Sequence, residues 1–191
     1  MSVATAKPLS NESPSTLHIG PEVTMGEVLR AYPTAKIALF IRYHIGGCTS
    51  CSYQLTDTLA EVHQNFHIQD SLDEMLEAVR QSTAVEAKIH SAQQDLVEAL
   101  SRGEEARIID ARSPGEWETA HLADAQPITV ELTFNALDSW PKETPIIFYS
   151  NDGGRSLDKA AYFQAYGFIE ARSLDGGILA WNGRIESSTL N

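Results

Sequence analysis

Between Pro145 and Ser156 an apolar stretch, Ile-Ile-Phe-Tyr, breaks after Tyr149 into a glycine-bearing loop, Ser-Asn-Asp-Gly-Gly-Arg. Leu157, Ala160, Ala161 and Phe163 then recur at helical spacing. A strand that turns through glycines straight into a helix is the joint of an α/β unit, so this stretch constrains the fold more than any other. It also constrains the chemistry. Backbone N–H groups converge in such a loop, and the positive end of the helix dipole adds to them. Ser150, Asn151, Asp152, Gly153, Gly154, Arg155 and Ser156 therefore form a candidate anion cradle, suited to a thiolate, a persulfide or an oxyanion.

The loop resembles the rhodanese active-site loop, in which a Cys ends the strand and an Arg lies five residues on. Here Ser150 and Arg155 hold those places. The resemblance covers about residues 89–185. The run Ile108 to Trp117 is similar to the family's strand-and-turn signature, with Asp110, Arg112 and Glu116 at matching positions. Ala120-His121-Leu122 stands where the family usually has Gly-His-Ile, and Asp175 to Trp181 resembles its paired glycines followed by an aromatic. The resemblance implies an α/β domain with a mostly parallel sheet flanked by helices, and a structural role for His121. It also implies that sulfur transfer is absent at this loop, because a serine hydroxyl forms no persulfide. Ser150 as a nucleophile would need a base, and no motif supplies one. A phosphatase or hydrolase using it therefore ranks last. Asp152 weakens the positive potential of the cradle. Arg155 either braces the loop or binds an incoming anion.

The N-terminal half follows a different pattern. Thr24 to Glu27 reads as a capping box, and Met25, Val28, Leu29 and Tyr32 follow at helical spacing. After Pro33 the periodicity resumes from Ala35 to His44 and is stopped by Gly46-Gly47. Cys48-Thr-Ser-Cys51 comes next, in a turn. Thr56 to Val62 reads as a helix, and Ser71 to Glu74 caps another whose apolar face is Leu72, Met75, Leu76 and Val79. These features resemble a small helical family associated with hybrid cluster proteins and described as carrying a redox disulfide. The matching elements are Met25 to Leu29, Tyr32-Pro33, the Gly-Gly-Cys-x-x-Cys turn, Thr58-Leu59 and the Leu72 to Val79 helix. The expected organisation is a disordered tail (1–20), an all-α Cys-x-x-Cys domain (21–80), a linker or helix extension (81–88), a rhodanese-like domain (89–186) and a tail (187–191). Ser91 is read as the cap of the first helix of the second domain.

Cys48 and Cys51 carry three readings. A reversible disulfide needs only two thiols and access for a partner thiolate. Buried structural thiols are the second, since free Cys behaves as a small hydrophobe. Metal or iron–sulfur ligation is the third, but one pair gives two thiolates where four ligands are usual. His44 could add a third, or two chains could complete the set by dimerising at the turn. No cofactor is implied for certain, and an iron–sulfur cluster is the alternative to none. Two cysteines do not make the disulfide framework of a secreted scaffold, and the expected location is cytoplasmic. The net charge of −12 argues against nucleic acid as a partner. No apolar run suits a membrane span or a secretory signal. The reading of the whole is a redox or sulfur-relay protein working through Cys48 and Cys51. Its rhodanese-like domain serves as anion cradle or docking module for a redox or sulfur-carrier partner. The competing reading is a non-enzymatic sensor or scaffold holding a cluster across a homodimer.

Overall fold

The computed structural model describes residues 19–46, 52–101 and 106–187. Five helices come first: α1 (Met25–Ala31), α2 (Ala35–Tyr43), α3 (Leu59–Asn65), α4 (Leu72–Arg80) and α5 (Ser82–Ile89). Thr24, Thr58 and Ser71 each cap a helix through a hydroxyl that accepts from the third residue, where a Glu returns the contact. Such a box satisfies two orphan N–H groups at a helix start, so it fixes where the chain enters. The caps of α1 and α3 are also tied together by a bridge between Thr24 and Thr58. Met25, Val28, Leu39, Leu59, Val62, Met75 and Val79 are fully buried between these helices.

Three local expectations differ from what is found. α2 is ended by His44 in the left-handed region (φ 57°), whose N–H reaches Phe40 O, and Gly46 lies beyond that cap. The α3 helix starts at Leu59, because residues 54–57 are held in a turn by Asp57, which accepts from Gln54 N at 2.8 Å. Ser91 caps nothing: it is paired in strand β1 (His90–Ser91), and Ala92 O accepts the first bonds of α6 (Gln93–Ser101). Residues 81–88, read as a linker or helix extension, are helical from Ser82 on.

After β1 and α6 come β2 (Arg107–Asp110), α7 (Pro114–Thr119), β3 (His121–Leu122), β4 (Gln126–Pro127) and α8 (Val130–Ser139). They are followed by β5 (Ile146–Tyr149), α9 (Gly154–Ala165), β6 (Ala171–Leu174), α10 (Gly177–Ala180) and β7 (Ile185–Glu186). Five strands form one sheet in the order β1-β6-β5-β2-β4, with every pairing parallel, while β3 and β7 pair antiparallel apart from it. A parallel sheet needs cover on both faces, and β5 shows how it is met. Ile146 and Phe148 point into a core shared with α8 and α9, and Ile147 and Tyr149 point into the opposite one with Leu96, Leu122 and Ile178.

α2 belongs to two cores. Ala35 and Leu39 face the helical cluster, while Ile37, Phe40 and Ile41 pack into the α8–α9 side of the sheet domain. It runs alongside α9 in the same direction. Lys36 faces Asp158 (3.6 Å), Phe40 stacks on Tyr162 (6.2 Å between centroids) and His44 meets Tyr166 edge-on (5.5 Å), each pair one turn further along. The helical segment is thus joined to the sheet by packing as well as by chain. Among the described residues, no helix is long and apolar enough to cross a membrane.

Candidate functional site

The loop that follows β5 encloses Ser150, which is fully buried. Its Oγ accepts from Gly153 N at 3.2 Å and Ser156 N at 3.4 Å, and lies 3.4 Å from Ser156 Oγ. These distances are long for an oxygen acceptor, whose usual N–H···O separation is near 2.9–3.0 Å. The hydroxyl is therefore held at the long end of hydrogen-bond range. Behind it, Ser156 Oγ donates to Gly153 O (3.0 Å) and sits 2.8 Å from Ser173 Oγ, so three buried hydroxyls line one polar thread. Among the described residues no carboxylate or imidazole hydrogen-bonds to Ser150 Oγ, so nothing there would activate it as a nucleophile.

Glycines give the loop its shape. Gly153 caps α9 in the left-handed region (φ 103°), with no side chain of its own to cap the helix. Gly177, at φ 55°, brings the start of α10 so close that a Cβ there would clash with Ser150 O and stand 2.6 Å from Asn151 O. Ile178 N and Leu179 N then donate to those two carbonyls, at 2.9 and 3.1 Å. The paired glycines read from the sequence as a family signature thus clamp the outside of the loop.

Asp152 and Arg155 both have partners within the fold. Asp152 Oδ1 accepts from Gly154 N at 3.0 Å, filling a backbone donor at the start of α9. Arg155 grips Glu116 with both terminal nitrogens (2.7 and 2.9 Å). Glu116 also accepts from Ser113 N, Ser113 Oγ and Asn151 Nδ2. The Arg155 guanidinium first, and the Ser113 donors next, hold the Glu116 carboxyl far below the ordinary carboxylate range. The same contact holds Arg155 more firmly in its charged form. Bracing is what the geometry of Arg155 shows.

Beneath the loop, Arg112 and Asp110 form a buried pair (Nη2 to Oδ2, 2.6 Å). Arg112 also donates to Ala120 O and to Asn151 Oδ1. Tyr149 donates its hydroxyl to Asp110 (2.7 Å), and burial, followed by that bond, pushes the phenol well above its usual range. His121 stacks on Trp117 (3.8 Å) and bonds through Nδ1 to Trp117 O, a packing role.

Ser150 to Ser156 form the loop and first turn that join β5 to α9. Cys48 and Cys51 lie outside the described residues. His44 is exposed, at the end of α2 against the last turn of α9, whereas the cradle opens its first turn. The twelve residues of α9 span about 18 Å at 1.5 Å each, so His44 and the cradle are not brought together. A groove of about 160 Å³ between α2 and α9 is lined by Gly46, Lys36, Phe40, Asp158 and Tyr162. Reading by sequence alone missed Ser173, whose only signal was a polar residue in a short buried strand. It also missed that Glu116 is the partner of Arg155.

Comparison with known proteins agrees with this architecture. Residues 92–184 match the family model described as Rhodanese-like domain. The chain is 34% identical over 89 residues to a probable adenylyltransferase/sulfurtransferase, MoeZ, of Mycobacterium tuberculosis, spanning 46% of this chain and only 23% of that protein. It is 28% identical over 88 residues to a sulfurtransferase of Allochromatium vinosum, spanning 46% of this chain and 82% of that one. It is 27% identical over 85 residues to the thiosulfate sulfurtransferase GlpE of Vibrio cholerae, spanning 44% of this chain and 80% of that one. Among solved structures, a rhodanese-like domain from Anabaena superposes with a TM-score of 0.46 at 27% identity, over 52% of this chain and 79% of that one. The chain carries a rhodanese-like domain homologous to sulfurtransferases.

Proposed function

We propose that this chain is a redox or sulfur-relay protein whose working thiols are Cys48 and Cys51. Its rhodanese-like domain holds an anion or docks a partner without forming a persulfide of its own. One observation carries this reading: the atom at the centre of the loop is the Ser150 hydroxyl. Oxygen cannot take up sulfane sulfur, so any thiol chemistry falls to the only two cysteines in the sequence. That relatives are named sulfurtransferases supports a place in sulfur handling. The bonds of Asp152 to Gly154 N and of Arg155 to Glu116 support a loop at rest rather than one waiting for substrate.

The test combines two measurements on the full chain. Transfer of sulfur from thiosulfate to cyanide is expected at background. Thiol titration is expected to find two reactive groups under reduction and none after mild oxidation, with the monomer mass preserved. Robust turnover that survives Cys48→Ser and Cys51→Ser would overturn the proposal. So would two thiols that resist both modification and oxidation in the folded protein.

A further inference from the structure

A backbone nitrogen can attack the Asp or Asn side chain before it when three conditions meet. The residue that carries the nitrogen must be small, the side chain must be free to turn, and the N–H must not be held in a hydrogen bond. Three places in the sequence set Asp or Asn before glycine: Asp152-Gly153, Asp175-Gly176 and Asn182-Gly183. The fold holds the first two. Asp152 Oδ1 accepts from Gly154 N (3.0 Å), and Gly153 N donates to Ser150 Oγ (3.2 Å). Asp175 bonds to His90 through its carboxylate, donates from its N to Ser91 O (3.0 Å) and accepts from Gln93 Nε2 at its carbonyl (3.0 Å).

The third pair is free. Asn182 and Gly183 are both exposed, in the connection between α10 and β7. Among the described residues the Asn182 side chain has no hydrogen-bond partner, and Gly183 N donates to none. Packing nonetheless requires glycine at 183. A Cβ there would stand 2.5 Å from the Trp181 ring, which packs against the core that holds Leu174 and Ile178. The residue that protects an asparagine least is thus the one this turn needs.

We propose that Asn182 is a site of spontaneous conversion to aspartate and isoaspartate in the folded protein. Gly183 N gives up its proton to solvent base and bonds to the Asn182 side-chain carbonyl carbon. The bond from that carbon to the amide nitrogen breaks, and ammonia leaves. Water then opens the cyclic imide: cleavage at the side-chain carbonyl gives aspartate, and cleavage at the main-chain carbonyl gives isoaspartate. No oxidant or enzyme takes part. The new carboxylate lies two residues from Arg184, whose guanidinium pairs with Glu186 (2.6 Å) and whose carbonyl accepts from Ala123 N. Isoaspartate also lengthens the main chain just ahead of the strand that pairs with β3.

The experiment incubates the full-length chain in mildly alkaline buffer, folded and in guanidinium. Peptide mapping by mass spectrometry reads the loss of asparagine at 182, and an isoaspartate-specific methyltransferase reads all three sites. Conversion of Asn182 should be the same within about twofold in both conditions, whereas isomerisation at Asp152 and Asp175 should fall roughly tenfold or more on folding, since their hydrogen bonds must first break. Asn182→Gln should remove the acidic species that accumulates on isoelectric focusing of the folded chain. Conversion of Asn182 that falls on folding as steeply as that of the two aspartates overturns the proposal. So does an acidic species that accumulates undiminished in Asn182→Gln.

Discussion

Ser150→Cys, made in a Cys48→Ser, Cys51→Ser background, tests whether the loop still stabilises an anion. The new sulfur would take the place of Ser150 Oγ, which has Gly153 N at 3.2 Å and Ser156 N at 3.4 Å, a spacing that suits a larger atom. Hydrogen bonds to a charged group contribute about 1.5–3 kcal/mol each, and at these distances the lower end applies. Two of them give about 3 kcal/mol in favour of the thiolate. At about 1.4 kcal/mol per pKa unit, that lowers a free thiol from about 8.5 to about 6.5. Complete burial and the nearby Asp152 carboxylate act in the opposite direction, and Arg155 is neutralised by Glu116. The expected thiol pKa therefore falls between about 6.5 and 8.5. Asp152→Asn in the same background should move it toward the lower figure. Thiolate ultraviolet absorbance against pH reads this without requiring a reagent to enter the loop. A pKa at or above the free-thiol value in both variants would refute the cradle argument. Sulfur transfer by the Ser150→Cys chain should be measurable but slow, because Asp152 repels an anionic donor.

Glu116 has a depressed folded-state pKa, so its contribution to stability is complete above the unfolded value, about 4.3, and is lost as pH falls below it. Glu116→Gln should flatten the acid limb of the stability profile and leave its neutral limb parallel to the parent, as read by urea melts between pH 2.5 and 7 (roughly). Gly177→Ala forces a Cβ against the carbonyls of Ser150 and Asn151 at positive φ, and should cost about 2 kcal/mol or more, seen as a lowered midpoint in the same melts. Leu39→Ala removes a fully buried side chain from the helical core and should cost about 2–5 kcal/mol.

Much of this was legible in the sequence because local signals and tertiary needs coincide. Thr24, Ser71 and their partner glutamates mark helix starts that the structure keeps, and the unbroken apolar run from Ile146 to Tyr149 marks a strand buried on both faces. The loop from Ser150 to Ser156 was legible from its glycines. Where reading by spacing failed, a longer-range contact decided. Ser91 has the chemistry of a cap but lies beside β6, so it pairs with that strand and its carbonyl accepts from Asp175 N. His44, rather than a glycine, ends α2, with its ring packed against Tyr166 far along the chain. The contact of Arg155 with Glu116 joins residues whose spacing carries no pattern, and only the fold brings them together.

The division of α2 between two cores bears on how the molecule comes apart. Leu39 cannot leave the helical cluster without drawing Phe40 off Tyr162, and α9 cannot open without exposing Ile37 and Ile41. Melting should therefore proceed as one cooperative event, with amide protons of α2 and α9 exchanging together rather than at separate rates. A chain cut near residue 89 would leave the α2-facing side of α9 as a bare apolar stripe, soluble only if something else lies down on it.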